Sequence, residues 1–329
     1  MLFRSDPTMT LTVGALLEQT RDLLELEQLG SADGLTREIP SSDASGPGMV
    51  LAGFTERFVH QRIQVLGETE VTYLRSLAPA ERTRILTLLF HYPIPCVMVT
   101  KGLTLPDGVE SAATAAGVTI LRSRLKTFEF YRRITPFLEQ AFAPTTSLHG
   151  SLADVYGVGL LFTGASGIGK SECVLDLVER GHRLVADDLV MVRRKGADIL
   201  LGTGHPLQRH FMEIRGVGLI DVRSIFGIRA VRQQKRIEVV VVLQAWHEGM
   251  VAERTGLDME TTEILGVSIP KITVPLNPGK NLTVIAEVIA MNHLMRYAGE
   301  DPAQAFNERL KGHLLGKAEV QRYLLDDDE

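Results

Sequence analysis

Gly164-Ala165-Ser166-Gly167-Ile168-Gly169-Lys170-Ser171 has a glycine, four residues and then Gly-Lys-Ser, the spacing of a phosphate-binding P-loop. Its glycines let backbone N–H groups curl around phosphate oxygens, Lys170 reaches the β and γ phosphates, and the Ser171 hydroxyl can ligate Mg²⁺. The implied ligand is a nucleoside triphosphate or another polyphosphate. Asp187-Asp188 arrives only seventeen residues after Lys170, earlier than the metal-binding acid of a motor ATPase, which points to a kinase-like arrangement. One carboxylate can hold a metal-bound water while the other accepts a hydroxyl proton. His149 lies just upstream, and a lone histidine reads equally as a surface or core residue. In Met212-Glu213-Ile214-Arg215-Gly216-Val217-Gly218 the glycines permit close backbone approach, which suits a metal-binding carboxylate and a phosphate-binding guanidinium, although an ordinary strand-turn reads the same way. Arg254 could stabilise charge on a transferred phosphoryl group, and alone it is also the pattern of a solvated arginine.

The elements that must position these groups follow from hydrophobic periodicity. Val158 to Thr163 reads as a buried strand, Lys170 to Arg180 as a helix ended by Gly181, and Arg183 to Ala186 as a second strand. This β-loop-α-β unit puts the phosphate loop and both aspartates at one sheet edge. Glu238 to Leu243 is a further strand and Asn281 to Tyr297 a helix. A last helix starts at Asp301-Pro302, with Asp as cap and Pro at the first helical position. The closing Asp326 to Glu329 reads as a frayed acidic tail. In the first half, Leu11 to Leu29 has helical spacing, Ser41 to Gly48 has loop composition, and Gln64 to Leu66, Pro79 to Phe90 and Pro95 to Thr100 suggest alternating strands and helices. The expected fold is therefore α/β: a small N-terminal α/β domain, residues 1–146, followed by a P-loop-containing C-terminal kinase domain, residues 147–329.

Composition narrows the function classes. A chain of 329 residues with 45% hydrophobic and 23% charged residues can build two ordinary cores. Its net charge of −5 has the wrong sign for wrapping nucleic acid. Cys96 and Cys173 lack any paired spacing, and the apolar runs are far shorter than a bilayer span, so a cytoplasmic protein with no membrane or nucleic-acid partner is expected.

Order and wording of these motifs together resemble the HPr kinase/phosphorylase family from about Gln64 to Leu310. The likeness includes Ile94-Pro95-Cys96, Thr100-Lys101-Gly102-Leu103, Leu148-His149-Gly150, Asp154-Val155-Tyr156-Gly157-Val158-Gly159, Gly181 to Asp188, Met212 to Asp221 and Glu287 to Asn292. The resemblance implies a bifunctional enzyme that phosphorylates a serine of the small phosphocarrier HPr from ATP or pyrophosphate, and removes that phosphate by phosphorolysis to pyrophosphate. It implies catalytic roles for His149, Lys170, Asp188 and Arg254, with Mg²⁺ held by Ser171 and Glu213, and a homohexamer. Asp188 would serve as base in the forward direction and as acid in the reverse. The sequence departs from the family at Asn277 and Lys280, where arginines are usual in the dephosphorylation segment Pro275 to Asn281; lysine cannot reproduce a bidentate guanidinium grip. Arg254 stands in Glu-Arg-Thr-Gly instead of Asp-Arg-Leu-Gly, and Ala165 replaces a frequent Asp. The competing readings are a P-loop NTP hydrolase or small-molecule kinase, which would release phosphate without a protein acceptor, and a nucleotide sensor without turnover.

Overall fold

The computed structural model describes residues 11–247, 260–277 and 279–326, so Arg254 lies outside the described residues. The chain forms two compact units that divide between Ala143 and Pro144. The expected division after Thr146 would cut a continuous strand, Thr145–His149.

In the first unit, α1 (Val13–Leu24) is followed by β1 (Leu26–Leu29), β2 (Ala44–Ser45), α2 (Gly48–Leu51), β3 (Ile63–Leu66), α3 (Glu68–Ser76) and α4 (Pro79–Phe90). Then come β4 (Cys96–Val99), α5 (Val109–Ala115), β5 (Thr119–Ser123) and α6 (Thr127–Ala141). The sheet order is β1-β5-β4-β3-β2, with β2 to β5 parallel and β1 antiparallel to β5. The helix expected over Leu11 to Leu29 stops early. Glu25 turns left-handed at φ 51°, and Leu26–Leu29 becomes a strand whose Glu27 meets Arg122 directly across the ladder at 2.5 Å. Helical spacing could not reveal that partner, which is 95 residues away. Likewise the loop expected over Ser41 to Gly48 contains β2, recruited by the edge of β3.

The second unit is built on a six-stranded sheet. Its strands, with β6 (Thr145–His149) leading the unit, are β7 (Ser151–Val155), β8 (Val158–Gly164), β9 (Arg183–Ala186), β15 (Val239–Ala245), β16 (Thr261–Ile264) and β17 (Val267–Leu276), in the order β16-β17-β15-β8-β7-β9. A four-stranded antiparallel sheet, β14-β11-β10-β6, comprises β6, β10 (Leu189–Lys195), β11 (Ile199–Gly204) and β14 (Gln234–Arg236). A small hairpin joins β12 (Phe211–Ile214) to β13 (Gly218–Asp221). The helices are α7 (Lys170–Glu179), α8 (Val222–Phe226), α9 (Leu282–Tyr297) and α10 (Pro302–Asp326).

Strand alternation explains the layering. Ala153, Val155, Leu160 and Phe162 point to one face, where they bury Val174 and Leu177 of α7 with Ala286 and Ala290 of α9. Leu152 and Leu161 point to the other, where Val190 and Val192 of β10 and Leu200 of β11 cover them. Each fully buried Leu or Phe is worth about 1.5–3 kcal/mol of transfer free energy, so this two-sided core fixes the sheet edge where the chemistry-bearing residues emerge. As expected, α10 begins with a cap: Asp301 Oδ1 accepts from Ala303 N at 3.0 Å and Gln304 N at 3.2 Å.

Candidate active site

Strand β8 runs directly into the glycine-rich loop, and α7 begins at Lys170. Gly164 sits at φ 145°, paired with Leu243 of β15, and a Cβ there would meet the Leu243 carbonyl. Gly167 adopts φ 74° and Gly169 φ 103°, the left-handed region that glycine enters freely. Ile168 packs on the core, anchoring the loop from beneath. The Lys170 ammonium lies over its own loop, donating to the Ala165 carbonyl at 3.0 Å and the Gly164 carbonyl at 3.3 Å.

The two aspartates separate. Asp187 is buried, and its Oδ1 accepts hydrogen bonds from Ser151 Oγ at 2.5 Å and Ser171 Oγ at 3.0 Å. Its Oδ2 is also buried and has no hydrogen-bond partner among the described residues. Burial pushes the Asp187 carboxyl up from its ordinary value, against the pull of the two serine hydroxyls and with a small push from Asp188. Asp188, one residue on, turns left-handed at φ 64° and swings outward, its side chain 72% exposed. Aspartate tolerates that conformation better than most residues. Gly150 N donates to the Asp188 carbonyl at 3.0 Å, and β6 pairs His149 with Leu189 of β10, so His149 Nδ1 stands 4.0 Å from Asp188 Oδ1.

The Met212 to Gly218 stretch forms the β12–β13 turn, with Met212 buried in the same core as Cys173 and Val174 of α7. Arg215 reaches the glycine-rich loop: a Cβ on Gly167 would collide with its guanidinium. Glu213 is exposed on β12, and no hydrogen bond ties it among the described residues. Lys280 lines a cleft of about 790 Å³ together with Gly169 and the flank of α7. The structure thus joins Ser171 to Asp187 by a hydrogen bond, folds the Lys170 ammonium over its own loop, seats His149 beside Asp188, and brings Arg215 onto the loop.

The residues present fit a cation of the Mg²⁺ type. Asp187 offers a buried carboxylate oxygen with no protein donor, beside the Ser171 hydroxyl, and hard cations take such oxygen ligands with few protein contacts. Among the described residues no group of three or more His, Cys, Asp or Glu converges, so a cation here would rely on phosphate and water for its remaining ligands. Asp187 stands in the sequence only as half of a pair; its contact with Ser171 spans sixteen residues, and its contact with Ser151 depends on β9 lying beside β7. The cysteines play no part. Burial pushes both the Cys96 and Cys173 thiols up to about 12, which removes their nucleophilic form.

Three motif fragments far apart in the sequence meet at the other end of α7. Glu287 of α9 is buried and accepts from Arg180 Nε at 2.9 Å, Arg180 Nη2 at 2.6 Å and Tyr156 OH at 3.4 Å, with His182 Nε2 at 3.0 Å. The Tyr156 ring meets His182 edge-on, 4.6 Å between centroids. The Arg180 fork, chiefly, holds the Glu287 carboxyl down at about 2 despite its burial, with His182 assisting. Tyr156, His182 and Glu287 each stand in a motif of the resemblance and Arg180 closes the predicted helix, but nothing in the sequence joined the four.

Comparison with known proteins agrees with the resemblance. Residues 140–310 match the family described as HPr Serine kinase C-terminal domain, and residues 11–138 that described as HPr Serine kinase N terminus. The chain is 46% identical to an HPr kinase/phosphorylase of Chloroherpeton thalassium over 90% of this chain and 87% of that one. It is 43% identical to one of Bacillus cereus over 92% of this chain and 99% of the other. Among solved structures, the Hpr(Ser) kinase/phosphatase from Coxiella burnetii aligns at 34% identity and TM-score 0.44, covering 49% of this chain and 98% of that one. Fold and site define the class as a two-domain mixed α/β kinase. Within that class, the chain belongs to the HPr kinase/phosphorylase family.

Proposed function

We propose that this protein transfers the γ-phosphoryl group of ATP, or a phosphoryl group of pyrophosphate, to a serine of HPr, and removes it again by phosphorolysis. The observation that carries the proposal is the meeting, at one sheet edge, of a glycine-rich loop opening α7, the buried Asp187–Ser171 pair and the exposed His149–Asp188 pair. The loop is read as a P-loop binding the phosphates through residues Gly164 to Ser171. Mg²⁺, held by Ser171 and Glu213 with Asp187 adding its free oxygen, would neutralise charge on the phosphate oxygens.

In the forward direction Asp188 accepts the proton of the substrate serine as its oxygen bonds to phosphorus and the bond to the leaving ADP breaks. In reverse, an oxygen of inorganic phosphate attacks phosphoserine, the serine oxygen leaves with the proton returned by Asp188, and pyrophosphate forms. The outward turn of Asp188 suits both tasks, because a protein serine must reach it from outside. Lys170 and Arg254 stabilise charge on the group in flight, and His149 stands near it.

A cytoplasmic homohexamer accompanies this reading. Its support is the family resemblance, the absence among described residues of any helix long and apolar enough to cross a membrane, and the outward Val284, Val288, Met291 and Met295 of α9. These residues recur at helical spacing on a helix that is apolar nearly all round, as at a subunit contact.

The test incubates the protein with Mg²⁺, labelled ATP and HPr, then with phosphoserine-HPr and inorganic phosphate. Label on an HPr serine that falls on the order of 10²–10⁴-fold in Asp188→Ala supports the reading. ATP hydrolysed with no label on HPr would favour the NTP hydrolase, and output preserved in Asp188→Ala would favour a sensor.

A further inference from the structure

The first unit carries a motif that phosphoryl transfer leaves unused, Thr100-Lys101-Gly102-Leu103, and this motif borders a cleft of about 1000 Å³, large enough for a small-molecule ligand. The cleft lies at the carboxyl ends of the parallel strands. Gly67 and Tyr73 come from the turn and helix after β3, Lys101 from the end of β4, and Lys126, Phe128 and Tyr131 from the turn and helix after β5. Helices α3 and α5, which follow β3 and β4, bury Val71, Leu74, Val109 and Ala113 on one face of the sheet. Helix α6, which follows β5, buries Phe130, Ile134 and Leu138 on the other. Connections that leave neighbouring strands toward opposite faces open a crevice between the strand ends, the usual place for a ligand in a parallel sheet.

Glycine keeps the floor of this crevice open. Gly67 has φ −91°, which any residue adopts, so space and not conformation calls for it: a Cβ there would stand 3.2 Å from Glu70 Oε2 and 3.3 Å from Thr127 Oγ1. Thr127 Oγ1 in turn shares a hydrogen bond with the buried Thr100 Oγ1 at 2.7 Å. Lys101 and Gly102 both turn left-handed at φ 61°, uncommon for a lysine, and the Lys101 ammonium pairs with Glu68. Glu70 Oε2 accepts from Gly67 N at 2.9 Å, which leaves Glu70 Oε1 without a donor among the described residues. The Lys126 ammonium has no partner among them either. Along the same cleft stand Tyr73, the half-buried Tyr131 and Phe128, which is 78% exposed.

We propose that this cleft is a second ligand site, for a small anion that carries a flat ring and hydroxyl groups, the chemistry of a nucleoside monophosphate. Lys126 supplies the free positive charge for the phosphate, and Glu70 Oε1 is the free acceptor for a sugar hydroxyl, the task a carboxylate performs beside ribose in other parallel sheets. Phe128, Tyr73 and Tyr131 offer aromatic faces on which a base stacks, whichever base it is. A bare inorganic anion would leave the rings unused and face the Glu70 charge. An uncharged apolar ligand would bury Lys126 and Glu70 without partners, which is costly. The site lies wholly within the first unit and does not depend on the phosphoryl-transfer reading.

The test is equilibrium dialysis of the full chain against adenosine monophosphate and, separately, uridine monophosphate, with magnesium pyrophosphate present to occupy the glycine-rich loop. Adenosine, which lacks the anion, and ribose phosphate, which lacks the base, should each bind at least about tenfold more weakly than the adenine nucleotide. Phe128→Ala and Lys126→Glu should each weaken nucleotide binding about tenfold. Both side chains are exposed, so both variants should melt with wild type. Lys170→Ala, in the glycine-rich loop, should leave this binding unchanged. Affinity that survives both Phe128→Ala and Lys126→Glu, or that falls in Lys170→Ala, puts the nucleotide elsewhere and overturns the proposal. Adenosine or ribose phosphate binding as tightly as the whole nucleotide overturns it too, as does no binding of either nucleotide at millimolar concentration.

Discussion

The two ends of α7 each hold a buried carboxylate, and the two are solvated by protein in opposite ways. At the C-terminal end Glu287 is saturated: a charged fork, an imidazole and a phenol all address it, and its carboxyl is held at about 2. At the N-terminal end Asp187 has two hydroxyl donors on one oxygen and none on the other, and its carboxyl is pushed up. A carboxylate buried with enough donors stabilises a fold; one buried with too few costs stability and persists where a ligand can complete it. The first end anchors, and the second keeps a buried oxygen that the proposed cation would complete.

The largest expected difference between the ends is in activity. Asp187→Asn should reduce Mg²⁺-dependent transfer about 100-fold or more in single-turnover assays, whereas Glu287→Gln should leave forward turnover within about threefold, since its effect on the site is indirect. Full activity in Asp187→Asn would break the comparison.

Stability should run the other way, and pH separates the cases. Asp187 has a folded pKa above its ordinary 3.8, so it contributes stability fully below that value and loses it as pH rises through the raised folded value. At neutral pH Asp187→Asn should therefore melt at or above wild type, with the gap shrinking toward pH 4. Glu287 is depressed from 4.5 to about 2, so its contribution is present above pH 4.5 and fades as pH falls toward 2. Glu287→Gln should melt a few degrees below wild type at pH 7 and approach it in acid. Parallel pH profiles for the two variants would remove the distinction.

The smallest effect sharpens the cleft between the ends. Lys280→Arg restores the more usual arginine and a planar fork, and should raise phosphorolysis relative to forward transfer by a few-fold, measured as pyrophosphate released against label incorporated.

Much of this was legible locally. The glycine spacing and the helix it opens lie within one short window, as do Pro79–Phe90 and the Asp301 cap, where the observed elements agree with the periodicity. Leu26–Leu29 was misread as helix because its partner strand is remote. Asp187 and Asp188 read as equivalent neighbours, and nothing in two adjacent identical residues says which will face a core. Glu213 and Arg215 were paired by sequence proximity, but β12 ends at Ile214 and Arg215 lies in the turn beyond it, so only Arg215 is seen to meet the loop while Glu213 stays exposed on the strand.

By itself the sequence determined the family, the order of strands and helices around the glycine-rich loop, and the residue types available for the proposed phosphoryl transfer, because these depend on contiguous spacing. The tertiary structure decided which aspartate is buried, that His149 stands beside Asp188, and that residues 107 positions apart register α7 against α9. Those outcomes follow from strand pairing and helix packing between distant segments, where burial fixes a group's hydrogen-bond partners and charge, and no local pattern encodes them.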